Sequence, residues 1–196
     1  AAFESLERIA EANAMSLDGA RVTDFGCGTG VLTERLVAAG ADVLAIDSSP
    51  AMLSAVDRKI AERGWTTVRT STALTVTDER FDLIVSNPPW EDGTVEKPAD
   101  HAFYDPGFAL MDSLLDNLPK HLNPGGRCLL AYGHSPAITR LLSEAERLGY
   151  QTKILDDRNL DELPIDFLPG MLIEVRLGRN QIPKVDASSE DQPTKS

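Results

Sequence analysis

The chain predicts a three-layer α/β sandwich around a mostly parallel seven-stranded sheet whose last strand is antiparallel. Three observations carry this expectation. Short apolar strand-like runs alternate with helix-period segments, the pattern of a parallel sheet covered on both faces. A glycine turn, Gly26-Cys27-Gly28-Thr29-Gly30, follows the first strand directly. No helix-period segment fits between the last two strands, so they are expected to pair antiparallel.

The elements follow from local signals. Phe3, Leu6, Ile9 and Ala10 recur at helical spacing, so residues 2–14 read as an opening amphipathic helix. Residues 22–25 form the first strand and 31–39 the helix after the glycine turn, closed by Gly40. The second strand covers 42–47. Ser49 then caps a helix with Pro50 in its first position, running to about Arg63 before Gly64. Strands are expected at 66–70 and 81–86, then a helix over 108–121. The fifth strand, 127–132, is entered through Asn123-Pro124-Gly125-Gly126. A helix over 136–148 and strands at 150–155 and 171–177 complete the domain, taken as residues 1–178. Residues 179–196 are polar, with Pro183 and Pro193, and read as a disordered tail.

With 196 residues the chain suits one domain. A hydrophobic content of 42% without an apolar run near ~18 residues predicts no membrane span. The start, Ala1-Ala2-Phe3-Glu4-Ser5, lacks the basic and apolar regions of a signal peptide. The two cysteines, Cys27 and Cys128, have no metal-like spacing, so no metal site is expected and a reducing, cytoplasmic setting is. The net charge of −12 disfavours direct binding of nucleic acid, which rewards basic surfaces. A basic partner subunit could supply the missing charge.

A glycine turn between strand and helix offers backbone N–H groups to an anion or cofactor. The dinucleotide fingerprint is broken here, because Val31 stands where its third glycine belongs. A phosphate-binding loop is also absent, since no Gly-Lys-Ser/Thr follows. Asp47, ending the second strand, suits a pair of ribose hydroxyls. The run Asp24-Phe25-Gly26-Cys27-Gly28-Thr29-Gly30 resembles motif I of class I S-adenosylmethionine-dependent methyltransferases. The resemblance implies the Rossmann-like methyltransferase fold and S-adenosylmethionine as cofactor. It implies that Asp24 accepts hydrogen bonds at the amino-acid end, directly or through water. Gly26, Cys27, Gly28 and Gly30 would lie along the methionine and ribose, with Asp47 and Ser48 beside the ribose. Many relatives place an acidic residue near the adenine. This chain has Ser71 and Thr72 there, so a hydroxyl or the backbone is expected instead.

The second motif is Asn87-Pro88-Pro89-Trp90, after the apolar run 81–85. The Asn87 side-chain oxygen and the Pro88 carbonyl can accept both N–H groups of a flat amino group. Two prolines hold that geometry rigid, and the Trp90 ring can stack on the target. The run resembles motif IV of amino-methyltransferases, which act on amide or nucleobase –NH2 groups. That resemblance implies catalytic roles for Asn87, Pro88, Pro89 and Trp90, with Asn87 also beside the cofactor. Closest in layout are release-factor glutamine methyltransferases and other small-domain methyltransferases, although Trp90 replaces the usual tyrosine. The bacterial glutamine enzymes carry a helical substrate-recognition domain for which this chain is expected to have no room. Their single-domain relatives use a small partner subunit.

Residues 91–107 form a long acidic connection that suits a substrate lid. His101, Phe103 and Tyr104 are its candidate substrate contacts. A surface role suits His101 better than a catalytic one, and anchoring the loop on the core suits Phe103 and Tyr104 better than contact with substrate. A second acidic stretch, residues 156–167, is expected on the same side, so the rim favours a cationic or neutral substrate. The leading expectation is therefore methyl transfer to a nitrogen of a protein side chain or small molecule. A nucleic-acid base N-methyltransferase with a basic partner is one alternative, and a non-catalytic cofactor-binding subunit is another. A small partner subunit or a homo-oligomer fits either.

Overall fold

Arg21–Phe25 (β1) lies near the middle of a seven-stranded sheet. The computed structural model describes residues 16–155 and 170–179. The expected opening helix, the acidic stretch 156–167 and the polar tail beyond Arg179 lie outside the described residues. After β1 come α1 (Val31–Ala38), β2 (Asp42–Ile46), α2 (Pro50–Arg63), β3 (Val68–Ser71) and β4 (Phe81–Ser86). Then follow α3 (Ala109–His121), β5 (Leu122–Tyr132), α4 (Ser135–Arg147), β6 (Gln151–Ile154) and β7 (Met171–Arg176). The strand order is β3-β2-β1-β4-β5-β7-β6, with β7 antiparallel to both of its neighbours. This is the mixed sheet that the sequence predicts.

Alternation along the strands sends apolar side chains to both faces. Ile84 faces a core layer built with Leu115, Leu118, Ile138 and Leu141 of α3 and α4. Leu83 and Val85 face the opposite layer with Leu36 of α1. Leu53 and Val56 of α2 pack on Ala45 and Val68 beside it. Each face is thus closed by helices, and the polar strand ends alone are left to present a site.

Two boundaries differ from expectation by more than one residue. β5 starts at Leu122, not at residue 127. Leu122 pairs with Phe81 and Arg127 with Leu83, so residues 123–126 bulge opposite Asp82. The Asp82 carboxylate holds the bulge by accepting from the Asn123 side-chain amide at 2.8 Å, and it also accepts from the Arg21 N–H at 3.0 Å. β3 occupies Val68–Ser71, later than the expected 66–70, because its pairing with β2 begins only at Val68.

Pro119 sits inside α3 and cannot donate to the Leu115 carbonyl four residues back. The Tyr150 hydroxyl donates to that carbonyl instead, at 2.8 Å in a buried setting. The Arg80 guanidinium donates to the carbonyls of Pro119 and Leu122, closing the helix end. Tyr150→Phe should therefore cost about 1–3 kcal/mol in urea unfolding, by orphaning a buried carbonyl. Adding Pro119→Ala, which restores an N–H to the same carbonyl, should recover part of that loss. A Tyr150→Phe variant as stable as the parent would contradict this account.

Candidate functional site

Four parallel strands end in register. Phe25 pairs with Ile46 and with Ser86, and Ile46 pairs with Ser71. The next residue on each strand is therefore Gly26, Asp47, Thr72 or Asn87. The sheet thus brings both motifs to one edge, the place where open α/β sheets present ligand sites. A direct tie joins them: the Ser86 hydroxyl donates to the Phe25 carbonyl at 2.6 Å, in a buried setting.

The glycine turn is anchored on β2. The N–H groups of Gly26 and Cys27 both donate to the Ile46 carbonyl at 2.8 Å. The Asp47 carboxylate accepts the Gly28 N–H on one oxygen at 2.9 Å and the Ser49 N–H on the other at 2.8 Å. Each oxygen keeps lone-pair capacity for a further donor. Gly30 has φ 78° and opens α1, and a Cβ there would stand 2.9 Å from the Val56 side chain. Both facts require glycine, because α1 and α2 meet at this point. At Gly28 a Cβ would meet nothing within 4 Å, so the turn is open toward solvent there. That open, acceptor-lined cradle fits a ribose-bearing cofactor.

Asp24 lies under the turn, 2% exposed. It accepts the Thr33 hydroxyl at 2.6 Å, and the Thr33 N–H also donates to it. The carboxylate thus caps α1 from the neighbouring strand. Burial pushes its pKa up to about 6 despite the Thr33 bonds, and the nearby Asp47 charge adds to the rise. Direct contact with a ligand would need the turn above Asp24 to shift. Cys27 is buried, and burial pushes its thiol up to about 12, the behaviour of a packing residue. Ser48 is exposed beside Asp47. The Ser71 hydroxyl donates to the Ala73 carbonyl at 3.1 Å, whereas Thr72 is exposed.

In the second motif Asn87 is exposed, and its carboxamide has no hydrogen-bond partner among the described residues. Pro88 is buried and Pro89 half-buried. Trp90 is not a free plate. Its indole N–H donates to the Ala131 carbonyl at 3.0 Å, and its ring lies beside Gly170 and against the core. The Trp90 carbonyl meets Nδ1 of His134 at 3.1 Å. His134 was not picked out from the sequence. The available signal was its position just past β5, the strand beside β4.

The connection 91–107 is more ordered than expected. It holds short 3-10 turns at Pro98–Ala102 and Pro106–Phe108, and Glu91 bridges to Tyr104. The Tyr104 ring lies where a Cβ on Gly93 would collide with it, so its close contact is with the loop itself. Phe103 does not anchor the loop on the core: it is 63% exposed, because the chain bonds its backbone to Glu91 and leaves the ring outward. His101 is also exposed. Asp105, which the sequence did not single out, is buried and accepts the N–H groups of Leu110 and Met111 at the start of α3. Among the described residues no group of three or more His, Cys, Asp or Glu could hold a metal ion. No described helix is long and apolar enough to cross a membrane.

Comparison with known proteins agrees with this arrangement. Residues 22–104 match the family model described as "Methyltransferase domain". Ribosomal RNA small subunit methyltransferase C of Shewanella loihica is 41% identical over 76 residues, covering 37% of this chain and 22% of that protein. Release factor glutamine methyltransferase of Cereibacter sphaeroides is 33% identical over 130 residues, covering 58% and 47% respectively. The chain therefore spans less than half the length of either relative. A Streptococcus mutans protein crystallised in complex with SAH shares the fold at a TM-score of 0.62 and 16% identity, covering 87% of this chain and 96% of that one. Residues 22–104 thus match a methyltransferase domain, whose cofactor is S-adenosylmethionine, and the chain shares its fold with a structure that holds SAH.

Asp24 makes a measurable demand on stability. The folded chain holds its proton more tightly than the unfolded chain, so Asp24 makes stability fall as pH rises from about 4 to about 6. Asp24→Asn, which keeps an acceptor for Thr33, should gain on the parent across that window and stay ahead, by on the order of 2 kcal/mol, at pH 7. Urea unfolding at several pH values reads this directly. A stability difference that stays constant from pH 4 to pH 7 would show that the burial of charge at Asp24 is not the cause.

Proposed function

We propose that this protein transfers the methyl group of S-adenosylmethionine to a nitrogen of a protein side-chain amide or of a small-molecule amine or amide. The observation that carries the reading is Asn87, an exposed carboxamide, unpartnered among the described residues, one strand away from the open glycine turn. An amide nitrogen is a poor nucleophile, because its lone pair is delocalised. The Asn87 oxygen would accept one of its N–H groups and the Pro88 carbonyl the other. Two acceptors favour a pyramidal nitrogen and aim its lone pair at the methyl. Bound S-adenosylmethionine would supply that methyl from its sulfonium: the C–N bond would form as the C–S bond breaks, and the acceptor nitrogen would release one of its protons to solvent.

The roles of the cofactor-side residues follow their placement. The backbone of Gly26, Cys27, Gly28 and Gly30 would line the methionine and ribose. Asp47 would take the ribose hydroxyls on the lone pairs that its two backbone donors leave, with Ser48 beside it. Asp24 would act on the amino-acid end from beneath the turn. Ser71 or Thr72 would face the adenine, and Thr72 is the more accessible of the two. Trp90, His101, Phe103 and Tyr104 border the acceptor side. Trp90 and Tyr104 serve there as walls, and Phe103 and His101 as exposed contacts.

A second reading draws on the ribosomal RNA relative, which shares 41% identity over 76 residues. In that case the acceptor is a nucleobase amino group. The net charge of −12 opposes it unless a basic partner brings the nucleic acid.

Transfer of labelled methyl from S-adenosylmethionine into fractionated cell extract separates the readings. Label in protein or metabolite fractions supports the first, and label in RNA or DNA alone supports the second. No label in any fraction would sink both and leave a cofactor-binding subunit. Calorimetry should find S-adenosylmethionine bound with micromolar-range affinity and NAD not bound; the reverse outcome would overturn the cofactor. Asn87→Ala should cut turnover about 100-fold or more, as loss of a charge-stabilising contact does, with cofactor affinity nearly intact. Equal loss of both would make Asn87 structural.

A further inference from the structure

The Asn87–Trp90 turn is rigid but cannot anchor itself. Pro88 and Pro89 have fixed φ and no N–H, so the middle of the turn offers no backbone donor. A rigid unit of this kind is placed by its two ends. Ser86 fixes the first end through its bond to Phe25. Trp90 fixes the second end on β5, 41 residues away, through the indole bond to Ala131.

His134 adds a bond to the same end. It is the N-cap of α4, with φ −126° and ψ 117°, and its own carbonyl accepts the Ile138 N–H at 3.1 Å. N-cap side chains ordinarily serve the first backbone N–H groups of their helix. The His134 side chain makes no such bond, and its Nδ1 lies 3.1 Å from the Trp90 carbonyl. A carbonyl only accepts, so Nδ1 carries the hydrogen and donates it. The bond is available to the neutral ring and to the protonated one alike.

We propose that His134 is a positioning residue: by holding the Trp90 carbonyl it sets the tilt of the proline turn, and with it the direction of the Asn87 and Pro88 acceptors. The inference rests on reading this turn as the acceptor site. It assigns no contact between His134 and the substrate. A small rotation at Trp90 moves both acceptors together, because the prolines transmit it. Misplacement of that kind acts on turnover and spares the cofactor, whose cradle is built on β1 and β2.

The test uses the full chain with Trp65→Phe, which leaves Trp90 as the only tryptophan. Three variants are compared: His134→Ala, His134→Asn and His134→Gln. The Asn amide nitrogen stands where Nδ1 does, two bonds from Cβ, and the Gln amide nitrogen lies one bond further. His134→Ala should red-shift Trp90 emission and raise its acrylamide quenching. It should also cut methyl transfer into the extract fraction that the parent labels by about 10- to 100-fold. S-adenosylmethionine affinity by calorimetry should stay within about threefold of the parent. His134→Asn should restore both the fluorescence and the transfer, and His134→Gln neither. Unchanged fluorescence and transfer in His134→Ala would overturn the proposal. So would equal rescue by Gln and Asn, or a fall in cofactor affinity in step with turnover. If His134→Ala does not fold, the Asn and Gln pair decides: a difference between them supports the proposal and its absence overturns it. Failure of the parent to label any fraction would sink the proposed function. Whether His134 holds the turn is read separately, by the Trp90 fluorescence.

Discussion

The hydrogen bond from the Ser86 hydroxyl to the Phe25 carbonyl ties the last residue of β4 to the last residue of β1 in a buried setting. The glycine turn begins one residue beyond Phe25, and the proline turn one residue beyond Ser86. The two halves of the site therefore share one fixed origin. Because Ile46 and Ser71 lie in the same register, Asp47 and Thr72 are placed from that origin too. The rest of the fold serves this alignment. Helices cover both faces of the sheet, so the strand ends are left for chemistry.

The acidic groups at this edge divide their work by depth. Asp24 is buried and caps α1 through Thr33, at a cost that its raised pKa records. Asp47 is shallower and uses only part of its acceptor capacity to hold Gly28 and Ser49. A phosphate-bearing ligand would meet repulsion from both. A ribose and an ammonium group would meet acceptors. The same two carboxylates shape the turn, and on the proposed reading Asp47, the shallower of the two, would favour ribose hydroxyls over a phosphate.

What the sequence made legible was local. Pro50 at the start of α2, Gly64 after it and Gly40 after α1 are capping signals within a few residues of what they control. The register that joins the motifs also followed, since parallel strands of this order align their ends. What stayed hidden depends on distant partners. The start of β5 at Leu122 is set by Asp82 holding a bulge that reads locally as a turn. Pro119 inside α3 is tolerated because Tyr150, 31 residues on, supplies the missing donor. His134 meets Trp90 across 44 residues, and nothing next to it in the chain announces that contact. Phe103, expected as a substrate contact or as an anchor on the core, stands outward on a loop whose backbone is bonded to Glu91.

Tryptophan in the fourth position of the proline turn has a physical consequence that phenylalanine would not have. Its indole carries an N–H, and here that donor is spent on the Ala131 carbonyl of β5. The ring is thereby held against the core and beside Gly170. A side chain tied at both its backbone and its ring forms a fixed wall, so the width of the acceptor side on this flank is set before any substrate arrives. On the proposed reading, adaptation to a substrate would fall to the connection 91–107. There the exposed Phe103 and His101 stand on a loop stapled by Tyr104, Glu91 and Asp105. On the proposed reading, selection of the nitrogen would rest on the rigid pair Asn87 and Pro88, and selection of the molecule that carries it on the loop.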